Sequence, residues 1–130
     1  ITVSLDSAVF IGGLRTLGAV DTNHKLGSFG GDALEAEIGT AEQEFAKNSR
    51  SLVTNVRPIV DTTAATGTLS FRNRVADTVT NTAASSMHAT GTMPFHKSAR
   101  YFKFNLTIPA ATTWSDAQGI DIEAIKEGYR

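Results

Sequence analysis

Hydrophobic and polar side chains alternate most regularly in the stretch between Tyr101 and Ile108. One set comprises Phe102, Phe104, Leu106 and Ile108, and the intervening set comprises Tyr101, Lys103, Asn105 and Thr107. Because a β-strand sends successive side chains to opposite faces, this pattern predicts a half-buried strand with one apolar face. Pro109 cannot donate a ladder hydrogen bond and marks the predicted end of the strand. The rest of the chain must supply an apolar surface that covers this face.

Weaker alternation elsewhere predicts the strands that provide this surface, over residues 33–38, 51–60, 66–75, 77–81 and 120–125. The predicted inward side chains include Leu34, Val56, Leu69, Phe71, Val75, Ile120 and Ile122. Pro58 pushes its strand towards a sheet edge, because proline lacks the ladder donor. Residues 40–47 are the only credible helical stretch, although they could instead continue the preceding strand. Most of residues 82–96 is polar or small, which predicts a loop.

Short strands separated by turn residues predict an all-β fold, an antiparallel β-sandwich of the jelly-roll or immunoglobulin-like kind, over residues 32–130. We expect Trp114 to cap its core, with a sugar-stacking platform as the less favoured interpretation. Residues 1–31 form an N-terminal arm and a β-hairpin whose turn is centred on residues 21–24. Glycine pairs at 12–13 and 30–31 separate these parts, and the second pair is the predicted domain boundary.

Two groups of residues are candidates for an interface. The apolar side chains of the arm are Ile1, Val3, Leu5, Val9 and Phe10. A free apolar arm would mark an interaction surface, whereas an arm that folds onto its own sandwich is an equally favoured alternative. Arg72 and Arg74 share a predicted strand face, and further basic residues follow at 97, 100 and 103. A charged outer face that prevents edge aggregation is preferred over a strip that contacts DNA or an acidic neighbour.

Composition and motifs argue against most kinds of chemistry. The 130-residue chain has a formal net charge of −1 and no cysteine, which excludes disulfides and thiolate metal sites. We expect no direct contact with DNA, since there is no bulk positive charge, and no membrane span. His24, His88 and His96 lack metal-ligand spacing and are interpreted as solvated. With no paired-acid cleft or nucleophile motif, we predict a protein that is not an enzyme and has no cofactor, metal or small-molecule substrate.

Several stretches taken together resemble a known family. They include DTNHKLGSFGG in the hairpin, SLVTNVRPIVD, and the C-terminal SARYFKFNLTIPAATTWSDAQGIDIEA, which is followed by EGYR. This order resembles the C-terminal region of virion structural proteins of short-tailed bacteriophages. The resemblance covers nearly the whole chain, and its most specific part is the aromatic strand followed by IPA, Trp114, a turn and a Gly-Ile-Asp strand.

The resemblance implies a structural subunit located in the virion, in the tail, the neck or the outer surface. Its partners would be other copies of the chain and neighbouring virion proteins. Residues 1–31 would then serve assembly or form the end of an upstream β-repeat region. The alternative is a carbohydrate-binding β-sandwich module on a phage tail or a secreted protein.

Overall fold

The computed structural model describes residues 18–28 and 32–128. The chain divides into two units, residues 1–31 and residues 32–130. The described part of the first unit is a hairpin in which β1 (Gly18–Val20) pairs antiparallel with β2 (Leu26–Ser28). One carboxylate oxygen of Asp21 accepts from the backbone amides of Asn23 and Lys25, both at 2.8 Å. The predicted hairpin is thus present, because a local Asp side chain satisfies the amides of its turn.

The second unit is all-β, as predicted, and its described residues contain no helix. Its strands are β3 (Ala36–Gly39), β4 (Gln43–Glu44), β5 (Ser51–Val60), β6 (Thr66–Arg72), β7 (Thr80–Asn81), β8 (Ser85–Ser86), β9 (Met93–Ala99), β10 (Tyr101–Ile108) and β11 (Ala117–Lys126). They form a six-stranded antiparallel sheet around β10 and β6 and a three-stranded antiparallel sheet in the order β11-β5-β9. This arrangement is β-sandwich-like, and its jelly-roll or immunoglobulin-like detail stays a prediction.

Strand β10 occupies the residues that the alternation predicts and is the central strand of the larger sheet. It pairs with β6 on one side, while β3 and β4 pair with its other side in succession. The four predicted inward side chains, Phe102, Phe104, Leu106 and Ile108, have no exposed area. Their neighbours on the other face are half-buried or exposed. The period of two thus places one whole face of the strand in the core.

The core joins the two sheets. Val53 and Val56 of β5 and Met93 of β9 are fully buried together with Leu69 of β6. The rings of Phe95 in β9 and Phe104 in β10 meet edge to face, with centroids 5.8 Å apart and planes at 79°. Partly buried side chains that pack against this cluster include Phe71, Trp114, Ile120 and Ile122. The four inward residues of β10, together with Leu69, Phe71, Trp114, Ile120 and Ile122, therefore lie in this core or against it.

Of the two alternatives for residues 40–47, the helix is wrong and the extended one is closer, since β4 lies within this stretch. Thr40 donates its amide to the carbonyl of Phe104 at 2.8 Å, and its hydroxyl accepts from the Phe104 amide at 2.9 Å. β4 then pairs with the start of β10. A stretch of eight residues has little helical stability of its own, so pairing with the central strand determines its conformation.

The predicted loop over residues 82–96 is also wrong in part, because β8 and the first residues of β9 lie within it. Met93 and Phe95 alternate into the core. Pro94 between them obscures the pattern, yet proline is compatible with an edge strand, and β9 pairs only with β5 in the described structure.

Other local predictions need correction. β5 is the central strand of its sheet, yet β9 pairs with it only as far as Val56, so Pro58 has a partner strand on one side alone.

Leu34 and Val75 were expected to face inwards, but these residues are 84% and 66% exposed. Both lie outside the strands, where the period of two no longer fixes the face of a side chain.

Candidate interaction surfaces

The outer edge of β11 is the longest uncovered strand edge among the described residues. β11 runs for ten residues and pairs along its length with β5, and no other described strand pairs with it. Backbone amides and carbonyls on such an edge have no ladder partner and can hydrogen-bond to a strand of another chain. The geometry at this edge is therefore of the kind that can accept an added strand.

The side chains of β11 restrict how a partner strand can pair. Asp121 and Glu123 are exposed on the outer face of the sheet. The side-chain amide of Asn55 donates to a carboxylate oxygen of Glu123 at 3.1 Å. The pairing register with β5 shifts between Ala117 and Gly119 and again between Glu123 and Ala124. Charges and bulges limit indiscriminate edge pairing, so the edge favours a complementary partner. Beyond the second shift, the aliphatic side chain of Ile125 is 54% exposed.

Of the interface residues predicted from the sequence, the structure describes the two arginines but not the apolar side chains of the arm. Ile1, Val3, Leu5, Val9 and Phe10 lie outside the described residues, so their role stays a prediction. Arg72 lies at the end of β6 and is paired within the chain with Glu42. Arg74 lies beyond that strand, is exposed, and donates its backbone amide to the Asp77 carboxylate at 2.9 Å. The two arginines do not form one continuous strip along a strand.

Two surface ion pairs hold the β4 region against its neighbours. Arg72 donates to both carboxylate oxygens of Glu42, and Arg100 Nε donates to Glu44 at 2.7 Å. Hydrogen bonding from Arg72 lowers the pKa of Glu42 below its ordinary value, and hydrogen bonding from Arg100 does the same to the pKa of Glu44. The Glu42 carboxylate in turn raises the pKa of Arg72. Because these groups are solvated, the pairs fix geometry more than they stabilise the fold.

Asp61 ties the end of β5 to the loop that leads into β11. Its carboxylate accepts the Ser115 amide at 2.9 Å and the Ser115 hydroxyl at 2.6 Å, while its own amide donates to the Asp116 carbonyl at 3.1 Å. The Ser115 hydroxyl, followed by backbone hydrogen bonds from Asp116 and Ser115, lowers the pKa of Asp61. These bonds fix the point at which the chain enters the edge strand.

Replacing Asp61 by asparagine should make the protein less stable at neutral pH, because an amide cannot accept all of these bonds. The folded pKa of Asp61 lies below its unfolded value, so the carboxylate stabilises the fold above the unfolded pKa and loses this effect as the pH falls through the folded pKa. Thermal unfolding should be measured between pH 7 and pH 3. The difference in melting temperature between the wild type and Asp61→Asn should become smaller below about pH 4. The exposed Asp32 provides a matched Asp32→Asn control, for which we expect little change. A difference in melting temperature that stays the same at all pH values would contradict a stabilising role of the Asp61 carboxylate.

The described residues were expected to lack a metal site, and the histidines to be solvated. Within the ranges 18–28 and 32–128, no group of three or more His, Cys, Asp or Glu residues could hold a metal ion. The same ranges contain no helix long and apolar enough to cross a membrane. His24 and His96 have positive φ values of 61° and 49°, and both side chains are exposed, as is that of His88.

Sequence reasoning missed two features of these surfaces. The Asp61–Ser115 link joins residues 54 positions apart. Only the position of Asp61 between the predicted strands 51–60 and 66–75 hinted at a side-chain role. A basic cavity is lined by Arg50, Arg74 and Arg100, which come from three separate parts of the chain.

Comparisons of the chain with models of protein families, with curated proteins and with solved structures find no match.

Proposed function

We propose that this chain is a structural subunit of a bacteriophage particle, in its tail, neck or outer surface, which acts by protein–protein assembly. The observation that carries the assembly part is the ten-residue outer edge of β11, with which no other described strand pairs. A partner strand at this edge would gain main-chain hydrogen bonds along its length. The partners are other copies of the chain and neighbouring virion proteins.

The phage part of the proposal is supported by the sequence resemblance. Its most specific segment, residues 101–124, forms the central strand β10, the loop that holds Trp114, and most of the edge strand β11. One continuous segment thus combines the strand that builds the core with the strand that offers a free edge. A structural protein needs both a stable domain and a defined contact surface.

The carbohydrate-binding alternative has less support from the geometry. Such a module needs an accessible aromatic ring on which a sugar can stack. Trp114 instead packs against the hydrophobic core and is only partly exposed. That the protein is not an enzyme and uses no cofactor stays part of the proposal.

The assembly proposal predicts that Ile125→Asp weakens self-association by about tenfold or more, because it places a negative charge beside Glu123 on the edge strand. The matched control is Val75→Asp, since Val75 is 66% exposed and lies in the connection after β6, outside β11. Sedimentation velocity over a range of protein concentrations measures the effect. Both variants should keep a melting temperature near that of the wild type, because both side chains are largely exposed.

Equal weakening of self-association by Ile125→Asp and Val75→Asp would contradict a role for the β11 edge.

The proposed location in the phage particle is tested separately, by mass spectrometry of particles purified on a density gradient from an infected or induced culture. The expected result is a fixed number of copies per particle that resists a salt wash. Absence of the chain from such particles would overturn the phage assignment, whatever the result for the edge.

A further inference from the structure

The described structure contains a basic cavity in the second unit that the proposed assembly function does not use. The cavity measures about 280 Å³ and is lined by Asn48, Ser49, Arg50, Asn73, Arg74 and Arg100. None of its described lining residues is acidic. We propose that this cavity binds a phosphate group.

The charge of the cavity comes mainly from Arg50 and Arg74. The charge of Arg100 is partly neutralised by Glu44, to which it donates at 2.7 Å. Arg100 also donates to the side-chain oxygen of Asn48 at 3.0 Å. Arg50 donates from one guanidinium nitrogen to the uncharged Ser98 carbonyl at 3.2 Å. The exposed Arg74 guanidinium makes no ion pair within residues 18–28 and 32–128. Two cationic groups that make no ion pair with any described residue therefore line one concave site, and their combined charge matches that of a dianion.

The lining residues come from three separate segments of the chain, and this favours a phosphate over a carboxylate. Arg50 precedes β5, Asn73 and Arg74 follow β6, and Arg100 joins β9 to β10. A phosphate offers oxygens on all sides to donors that arrive from separate segments, whereas a carboxylate offers two oxygens in one plane.

Ser49 provides an independent observation. It lines the cavity, its residue is only 6% exposed, and its hydroxyl oxygen is buried without a hydrogen-bond partner in the described structure. A buried hydroxyl with no partner is costly, and most such groups in folded proteins are satisfied. A phosphate bound deeply enough in the cavity to reach this hydroxyl would supply the missing acceptor.

The test is isothermal titration calorimetry of the full chain with inorganic phosphate, at a constant ionic strength maintained with sodium chloride. We expect saturable binding of one phosphate per chain, and acetate at the same concentrations should bind at least about tenfold more weakly. Arg74→Gln should weaken phosphate binding by about tenfold or more, the effect of removing a charge-assisted hydrogen bond. Ser49→Ala should weaken binding by a smaller factor.

The matched control is Arg57→Gln, because Arg57 is exposed on β5 and lies outside the cavity. It should change the affinity for phosphate by less than about twofold. A parallel titration with glycerol phosphate distinguishes two sources. Tighter binding of the ester would identify a phosphate carried by a larger molecule, and tighter binding of inorganic phosphate would identify the free ion. The proposal is overturned if phosphate binds no better than acetate, or if Arg57→Gln weakens binding as much as Arg74→Gln.

Discussion

Replacing Phe104 by alanine should lower the free energy of unfolding by about 3–5 kcal/mol, the range observed when a buried aromatic side chain is removed from a core. Phe104 has no exposed area, and its ring packs edge to face against Phe95 of the other sheet. It therefore contributes to the contact between the two sheets as well as to its own strand. Chemical denaturation followed by intrinsic fluorescence or circular dichroism measures the change.

The control for this experiment lies in the same strand. Lys103 is exposed and precedes Phe104, so Lys103→Ala changes the opposite face of β10. Its expected effect is within about 0.5 kcal/mol, as for most surface substitutions. A cost of less than about 1 kcal/mol for Phe104→Ala would mean that the core is not centred on this ring.

The central strand was predictable because its periodicity is complete. Between Tyr101 and Ile108 every second residue is large and apolar, and no glycine or proline interrupts the pattern. Pro109 ends the pattern at the residue after the strand. When one face of a strand is buried along its whole length, a shift of one residue would expose the entire apolar set, so the sequence determines which face is inside.

The errors lie where long-range pairing determines the conformation. Thr40 bonds with Phe104, which is 64 positions away, and nothing in the local sequence indicates that partner. Phe95 is similarly buried against Phe104 of β10, in the other sheet, although Pro94 weakens the local strand signal. Local propensity is a weak guide for such short segments, because tertiary contacts routinely override it.

The candidate surfaces were less predictable than the core, because they depend on which elements become neighbours. The sequence predicts a strand near residues 120–125, but it does not indicate that this strand lies at a sheet edge. Arg50, Arg74 and Arg100 likewise meet only because β5, β6 and β10 bring distant segments together. Pairwise spacing along the chain contains no information about such a convergence.

Gly67→Ala tests the close packing on which the core depends. Gly67 lies in β6 opposite Leu106, and a Cβ atom at this position would come within 2.5 Å of Phe104 Cζ and 2.6 Å of Met93 Sδ. Because the Phe104 ring is fully buried, it cannot move aside without disturbing the packed core. We expect a loss of about 3 kcal/mol in the free energy of unfolding, near the upper end of the usual cost of overpacking.

The chain offers a matched control in Gly119, a glycine of β11 where an added Cβ would meet no atom within 4 Å. Gly119→Ala should leave the stability unchanged or raise it by about 0.5 kcal/mol, because alanine has less conformational entropy in the unfolded chain. Equal losses for both substitutions in chemical denaturation would contradict a specific steric role for Gly67.

A double-mutant cycle identifies the atoms responsible for this effect. Phe104→Leu removes the ring that an alanine at position 67 would meet, so the added methyl group would gain space. Each single substitution should destabilise the protein, whereas the double variant Gly67→Ala/Phe104→Leu should lose at least about 1 kcal/mol less than the sum of the two. Additive losses would show that the ring is not the obstacle. Coupling of this sign would show that a glycine in β6 provides the space that the central aromatic side chain of β10 occupies.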